Sequence, residues 1–129
     1  MSTPFADERG SVSAFAVCVI GSLVMLGLFM FDSGRYVDTY LRTSGVAENA
    51  ARIGAQSIVG IRSGQPRVDQ RLATSRAQEY LQSEGLVGTV RAIGTQVEVT
   101  VIGEWSPVVI SPLGNRRIIV KRRANVIDE

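Results

Sequence analysis

Hydrophobic and polar positions alternate along the chain in three successive rhythms. From Gly10 to Phe31, 22 consecutive residues contain no Asp, Glu, Lys or Arg. As a helix this run would be about 33 Å long at 1.5 Å per residue, close to the roughly 30 Å hydrocarbon thickness of a bilayer. Next, Val37, Leu41, Ser44, Ala47, Ala51, Ala55 and Ile58 recur at intervals of three and four, while Asp38, Glu48, Asn49, Arg52 and Gln56 occupy other faces, the signature of an amphipathic helix. Beyond Gly85 the period drops to two. Val97, Val99 and Val101 alternate with Gln96, Glu98 and Thr100 just after Gly94-Thr95, as expected of a hairpin with one buried face.

These rhythms predict a continuous or gently broken helix from about Ser11 to about Val59. Its small residues Ala47, Ala50, Ala51, Gly54 and Ala55 would let a sheet or a second helix approach closely. Gly60, Gly64 and Pro66 punctuate the chain. Pro66 suits the first turn of a second helix over Arg67 to Glu84, with Val68, Leu72, Ala73, Ala77, Tyr80 and Leu81 at helical spacing and Gly85 at the left-handed cap. Strands follow at Val87 to Ile93, Gln96 to Ile102 and Asn115 to Ile127. Val108, Val109, Ile110 and Leu113, around Ser106-Pro107 and Ser111-Pro112, read as a hydrophobic plug or short strand. The expected class is α+β: one long N-terminal helix, half transmembrane and half amphipathic, a second short helix and a small antiparallel meander. The expected division is a short N-terminal segment (1–9), a transmembrane helix (10–31) and an α+β domain (32–129).

A buried core helix and a cleavable secretory signal compete with the membrane reading of residues 10–31. About a hundred remaining residues cannot enclose a helix that is apolar all round. The run also ends in the bulky Leu28-Phe29-Met30-Phe31 before Asp32, where a signal peptide would place small residues. The reading is an uncleaved anchor.

Composition narrows the chemistry. The 129 residues include no histidine and one cysteine, with 14 basic and 12 acidic side chains. Imidazole acid/base work, Ser-His and Cys-His pairs and most zinc sites are thereby excluded. Cys18 alone can form neither an internal disulfide nor a thiolate metal site. No G-x-S-x-G, P-loop or dinucleotide fingerprint occurs, Asp69, Glu79, Glu84, Glu98 and Glu104 read as scattered exposed acids, and Gly85 to Gly88 reads as a turn. A non-enzyme is expected, with no catalytic, cofactor-binding or metal-ligating residues.

Three groups remain as candidates for interaction. Ala14, Cys18 and Ser22, with Gly21 beside them, stack small side chains on one face where another transmembrane helix could pack. Asp32, Gly34 and Arg35 stand at the membrane boundary, as a pair fixing helix depth or as a simple end of the span, with Gly34 a point of bending. Arg116, Arg117, Lys121, Arg122 and Arg123 form the basic concentration. On a strand, Arg117, Lys121 and Arg123 share a face with Ile119, and Arg122 lies opposite with Ile118 and Val120. That stripe reads either as a charged edge resisting unwanted sheet pairing or as an anion-binding surface. The latter defines an alternative function, a membrane-tethered module capturing DNA or an anionic envelope polymer. Without interleaved aromatics, nucleic acid is not the expected partner. Arg9 before the span against Arg35 and Arg42 after it leaves orientation undecided by charge.

The opening Asp7-Glu8-Arg9-Gly10-Ser11-Val12-Ser13, the span, the junction Phe31-Asp32-Ser33-Gly34-Arg35 and the helix segment Ala50-Ala51-Arg52-Ile53-Gly54-Ala55-Gln56 together resemble the TadE/TadG-like proteins. These are minor pilins or pseudopilins of the tight adherence (Tad, or Flp) pilus machinery, and the likeness is to the TadG-like N-terminal type. It covers roughly residues 7 to 57. The resemblance implies a single-pass membrane protein with a short cytoplasmic N-terminus and an extracytoplasmic, pilin-like C-terminal domain. Its implied partners are the lipid bilayer and other pilus or secretion subunits, with self-association among the possibilities. One position departs from the pattern. Prepilins and TadE-like relatives carry glutamate five residues after the glycine of a processing site, and here the fifth residue after Gly10 is Phe15, so cleavage there is not expected.

Overall fold

A computed structural model describes residues 8–59, 61–65, 67–108 and 114–125. Helix α1 runs without interruption over Glu8–Ala55, 48 residues and about 72 Å long. After it come two short strands, β1 (Ile58–Val59) and β2 (Arg67–Val68), separated by a single 3-10 turn over Ile61–Ser63. Helix α2 (Gln70–Ser83) leads into β3 (Val87–Ile93), β4 (Gln96–Trp105) and β5 (Arg116–Asn125). Strands β1 and β2 pair with each other, while β3, β4 and β5 form an antiparallel meander in that order. The C-terminal half of α1 lies across β4 and β5 with α2 beside it on β3, so the two helices cover one face of the sheet. The α+β class and the order of long helix, short helix and meander are those expected from the sequence; the β1–β2 pair is not, and α1 stops at Ala55 instead of running to about Val59.

The strands form where the sequence alternates. Val97, Val99 and Val101 are fully buried on the helix-facing side of β4, with Ile118 and Val120 of β5 beside them. Each such side chain contributes about 1.5–3 kcal/mol by leaving water. Gly94 turns the β3–β4 hairpin with φ of 60°, and Ile93 pairs with Gln96 across it. At the end of α2, Gly85 adopts φ of 70°. Its N–H donates to the Gln82 carbonyl and the Leu86 N–H to that of Leu81, the paired bonds of a left-handed helix stop.

Helix and sheet meet through small residues. Ala47, Ala50, Ala51, Ala73 and Ala77 are fully buried. A Cβ on Gly54 would lie 3.0 Å from Val97 Cγ1, and one on Gly103 would collide with Thr43 Oγ1. Backbone therefore approaches backbone, and the core is a thin seam.

Several local expectations are corrected. The second helix starts at Gln70, not Arg67, because the Asp69 carboxylate caps it, accepting from the Arg71 and Leu72 N–H groups. Such a cap satisfies donors that a helix start leaves free, and it releases Arg67 and Val68 to pair with β1; Pro66 lies outside the described residues. The buried face of α1 departs from the expected one at its start. Val37 and Leu41 are 51% and 62% exposed and Thr43 and Val46 are buried, while Ala47, Ala51 and Ala55 are buried as expected. The seam accepts what fits against Gly103 and Val97, whatever its hydropathy. Gly88 stands inside β3 and not in a turn; a Cβ there would lie 2.6 Å from the Thr100 carbonyl oxygen. Val108 is 53% exposed and so does not act as a plug, and Val109, Ile110 and Leu113 lie outside the described residues. The last strand ends at Asn125 among the described residues.

Candidate interaction surfaces

The two halves of α1 face different surroundings. Every residue from Gly10 to Phe31 is exposed, and the most apolar 18-residue window has a mean hydropathy of 2.5 with no part of it buried in the protein. This is one helix long and apolar enough to cross a membrane. Ala14, Cys18, Gly21 and Ser22 lie on it uncovered. Ser22 Oγ donates to the Cys18 carbonyl at 2.7 Å, which satisfies the hydroxyl within its own helix. Ala14, Asp32 and Ala50 are spaced by 18 residues, about five helical turns, so they fall near one line along the helix. The small-residue face thus lies on the same side of α1 as the head.

The head begins where the apolar run ends. From Gly10 on, Asp32 is the first buried residue of α1, 3% exposed, and its carboxylate Oδ1 accepts the Val108 N–H at 2.9 Å. This ties the segment after β4 to the helix across 76 positions of sequence. A carboxylate removed from water needs such a donor. One turn on, the Tyr36 and Trp105 rings meet edge to face, with centroids 5.3 Å apart and planes at 80°. That contact contributes about 0.5–1.5 kcal/mol beyond area burial. Arg35 is exposed and helix α1 continues unbroken through Gly34.

The basic concentration on β5 is divided into parts. Lys121 Nζ and Arg123 Nε, on the open face of the sheet, both engage Glu98 of β4, at 3.2 and 2.7 Å. Glu98 is half-buried, not a scattered exposed acid. The Arg123 hydrogen bond, then that of Lys121, hold its pKa below the ordinary carboxylate value. Arg122 turns to the helix side, where Nη2 and Nε donate to Ser44 Oγ at 2.7 and 3.1 Å. At the other end of the strand, Arg116 and Arg117 make no ion pair among the described residues and line a crevice with Tyr36, Tyr40, Trp105, Ile118 and Ile119. The alternation of Arg117, Ile119, Lys121 and Arg123 follows the expected pattern, but two of its three charges are committed to Glu98. The roles of Asp32 and Glu98 were not visible in the sequence, because each depends on a partner set by strand register or by a distant loop.

Among the described residues no group of three or more His, Cys, Asp or Glu side chains is placed to hold a metal ion. Glu48 and Arg52 form an exposed pair at 2.6 Å on the outer side of α1, worth only a few tenths of a kcal/mol.

Residues 10–57 match the family model Tad, described as Flp pilus-assembly TadE/G-like. The matched stretch is nearly the whole of α1, from the start of the apolar run to the end of the seam against the sheet. No curated protein and no solved structure matches the chain.

Proposed function

We propose that this chain, whose residues 10–57 carry a TadE/G-like segment, is a membrane-anchored, non-enzymatic subunit of a Tad/Flp-type pilus or related secretion assembly, a minor pilin or pseudopilin. The observation that carries this reading is the change of surroundings along one helix. Its first half is apolar and wholly uncovered, and its second half is the spine of a small folded head. The matched family is one of assembly proteins, which supports a pilus-related role.

In this reading residues 10–31 span the bilayer and residues 32–129 form the extracytoplasmic head. Ala14, Cys18, Gly21 and Ser22 meet a neighbouring subunit's helix, which gains van der Waals contact by close approach. Asp32, Gly34 and Arg35 mark the boundary, and the Asp32 tie holds the head against it. The chain stays uncleaved after Gly10, since Phe15 replaces the expected carboxylate.

Replacing Ala14, Cys18 and Ser22 together with Leu tests the packing face: pilus or secretion output is expected to fall with the protein level unchanged. Normal output would overturn it. For topology, Arg91→Cys in a Cys18→Ala background places a single thiol on the exposed face of β3. A membrane-impermeant maleimide is expected to label it in intact cells. Labelling only after lysis would reverse the orientation, and an N-terminus at Ser11 by mass analysis would overturn the uncleaved reading.

A further inference from the structure

We propose that the crevice formed by Tyr36, Tyr40, Trp105, Arg116 and Arg117 binds the phosphate of an anionic phospholipid headgroup in the leaflet from which the head emerges. The proposal rests on the membrane-anchored reading above and adds a ligand to it.

Depth is the first ground. Tyr36 and Tyr40 lie five and nine residues past Phe31, about 7.5 and 13.5 Å along a helix perpendicular to the membrane. The polar layer on each side of a bilayer is about 5–7 Å thick. With the apolar run filling the hydrocarbon, Tyr36 stands at the outer edge of the headgroup layer, near the interface where tyrosine and tryptophan concentrate, and Tyr40 stands just beyond it. Trp105 is held at the same level by its edge contact with Tyr36, and Arg116 by pairing with Trp105 across β4 and β5.

Charge is the second. The crevice is lined by two arginines and no acid, and neither arginine has an ion-pair partner among the described residues, whereas Lys121 and Arg123 on the same strand share Glu98. Arg117 stands on the open face of the sheet, opposite to Arg116; it faces Glu104 in the register and lines a neighbouring groove with it, but the two form no ion pair among the described residues. A planar guanidinium matches phosphate oxygens in bidentate fashion.

Trp105 is the sole tryptophan, so it reports on its own site. The full chain is reconstituted into phosphatidylcholine vesicles containing a minority of phosphatidylglycerol, and either one or the other lipid carries a nitroxide quencher near the glycerol. Phosphatidylglycerol is expected to quench Trp105 more strongly at equal mole fraction. Arg116→Gln with Arg117→Gln is expected to abolish the preference while the protein still floats with the vesicles and keeps its circular dichroism. At about fivefold per arginine, the preference lost would be about twenty-five-fold. Equal quenching by the two lipids, or a preference that survives in the double variant, would overturn the site. In detergent micelles, a Trp105 response to inorganic phosphate as large as that to phosphatidylglycerol would overturn the lipid assignment in favour of a simple phosphate site. A chain that floats with neither vesicle would instead overturn the anchored reading and the site with it.

Discussion

The outer and inner halves of α1 share one backbone but obey opposite rules. Between Gly10 and Phe31 large apolar side chains point outward on all sides and nothing covers them; Phe15 and Met30 are each 70% exposed. Between Asp32 and Ala55 the covered positions apart from Val46 are small or polar, Thr43, Ala47, Ala50 and Ala51 among them, while Val37 and Leu41 are left outside. In the anchored reading hydropathy decides in the first half, because the medium around it is then itself apolar. Distance decides in the second, since a sheet lies almost against the helix backbone.

Substitutions that suit one half and offend the other test this contrast. The largest effect is expected from Leu23→Asp, where a carboxylate near the middle of the span opposes insertion by about 3 kcal/mol. Alkaline carbonate should then extract the protein from membranes, whereas Val37→Asp on the exposed side of the head should leave it bound. Asp32→Ala removes the acceptor that holds Val108, a bond to a charged group worth about 1.5–3 kcal/mol. The expected result is a lowered melting temperature of the head and faster exchange of the Val108 amide, with Asp32→Asn keeping much of both. Ala50→Leu overfills the seam and is expected to destabilise the head by about 1–3 kcal/mol. The same change at Ala14 should leave the melting temperature where it was, and a matching loss there would erase the distinction between the halves.

The smallest effect lies on the open face of the sheet and is read through pH. Because Arg123 and Lys121 lower the Glu98 pKa in the folded state, the carboxylate stabilises the head at every pH above its unfolded value. That stability is lost as the pH falls through the lowered folded value. The difference between the wild type and Glu98→Gln should therefore be constant near neutrality, shrink below about pH 4.5, and vanish in stronger acid. A difference that persists there would remove Glu98 as its source.

Local signals in the sequence lead directly to much of this. The charge-free run, the β4 alternation and the glycines at positions 85 and 94 each announce an element through chemistry within a few residues. Where reading from sequence went astray, the deciding contact was remote or competed with a plausible neighbour. Pro66 and Asp69 both fit a helix start, and only the cap bonds to Arg71 and Leu72 separate them. Val37 and Leu41 satisfied the helical period but lost to Thr43, whose partner Gly103 is 60 residues away in the chain. The basic run had the right alternation on β5, yet the division of its charges between Glu98, Ser44 and an open crevice followed from strand register, which composition does not encode.

An unbroken rod has a mechanical meaning. In the anchored reading α1 passes from bilayer to head without a joint, so the head has no orientation of its own and must follow the rod. Taking the span to end at Phe31, the 24 residues from there to Ala55 form an arm of about 36 Å. A lean of about 10°, within the range that spanning helices adopt, would sweep its far tip sideways by about 6 Å. A sideways push from a neighbour at either end would thus be felt at the other as displacement, making the molecule a lever.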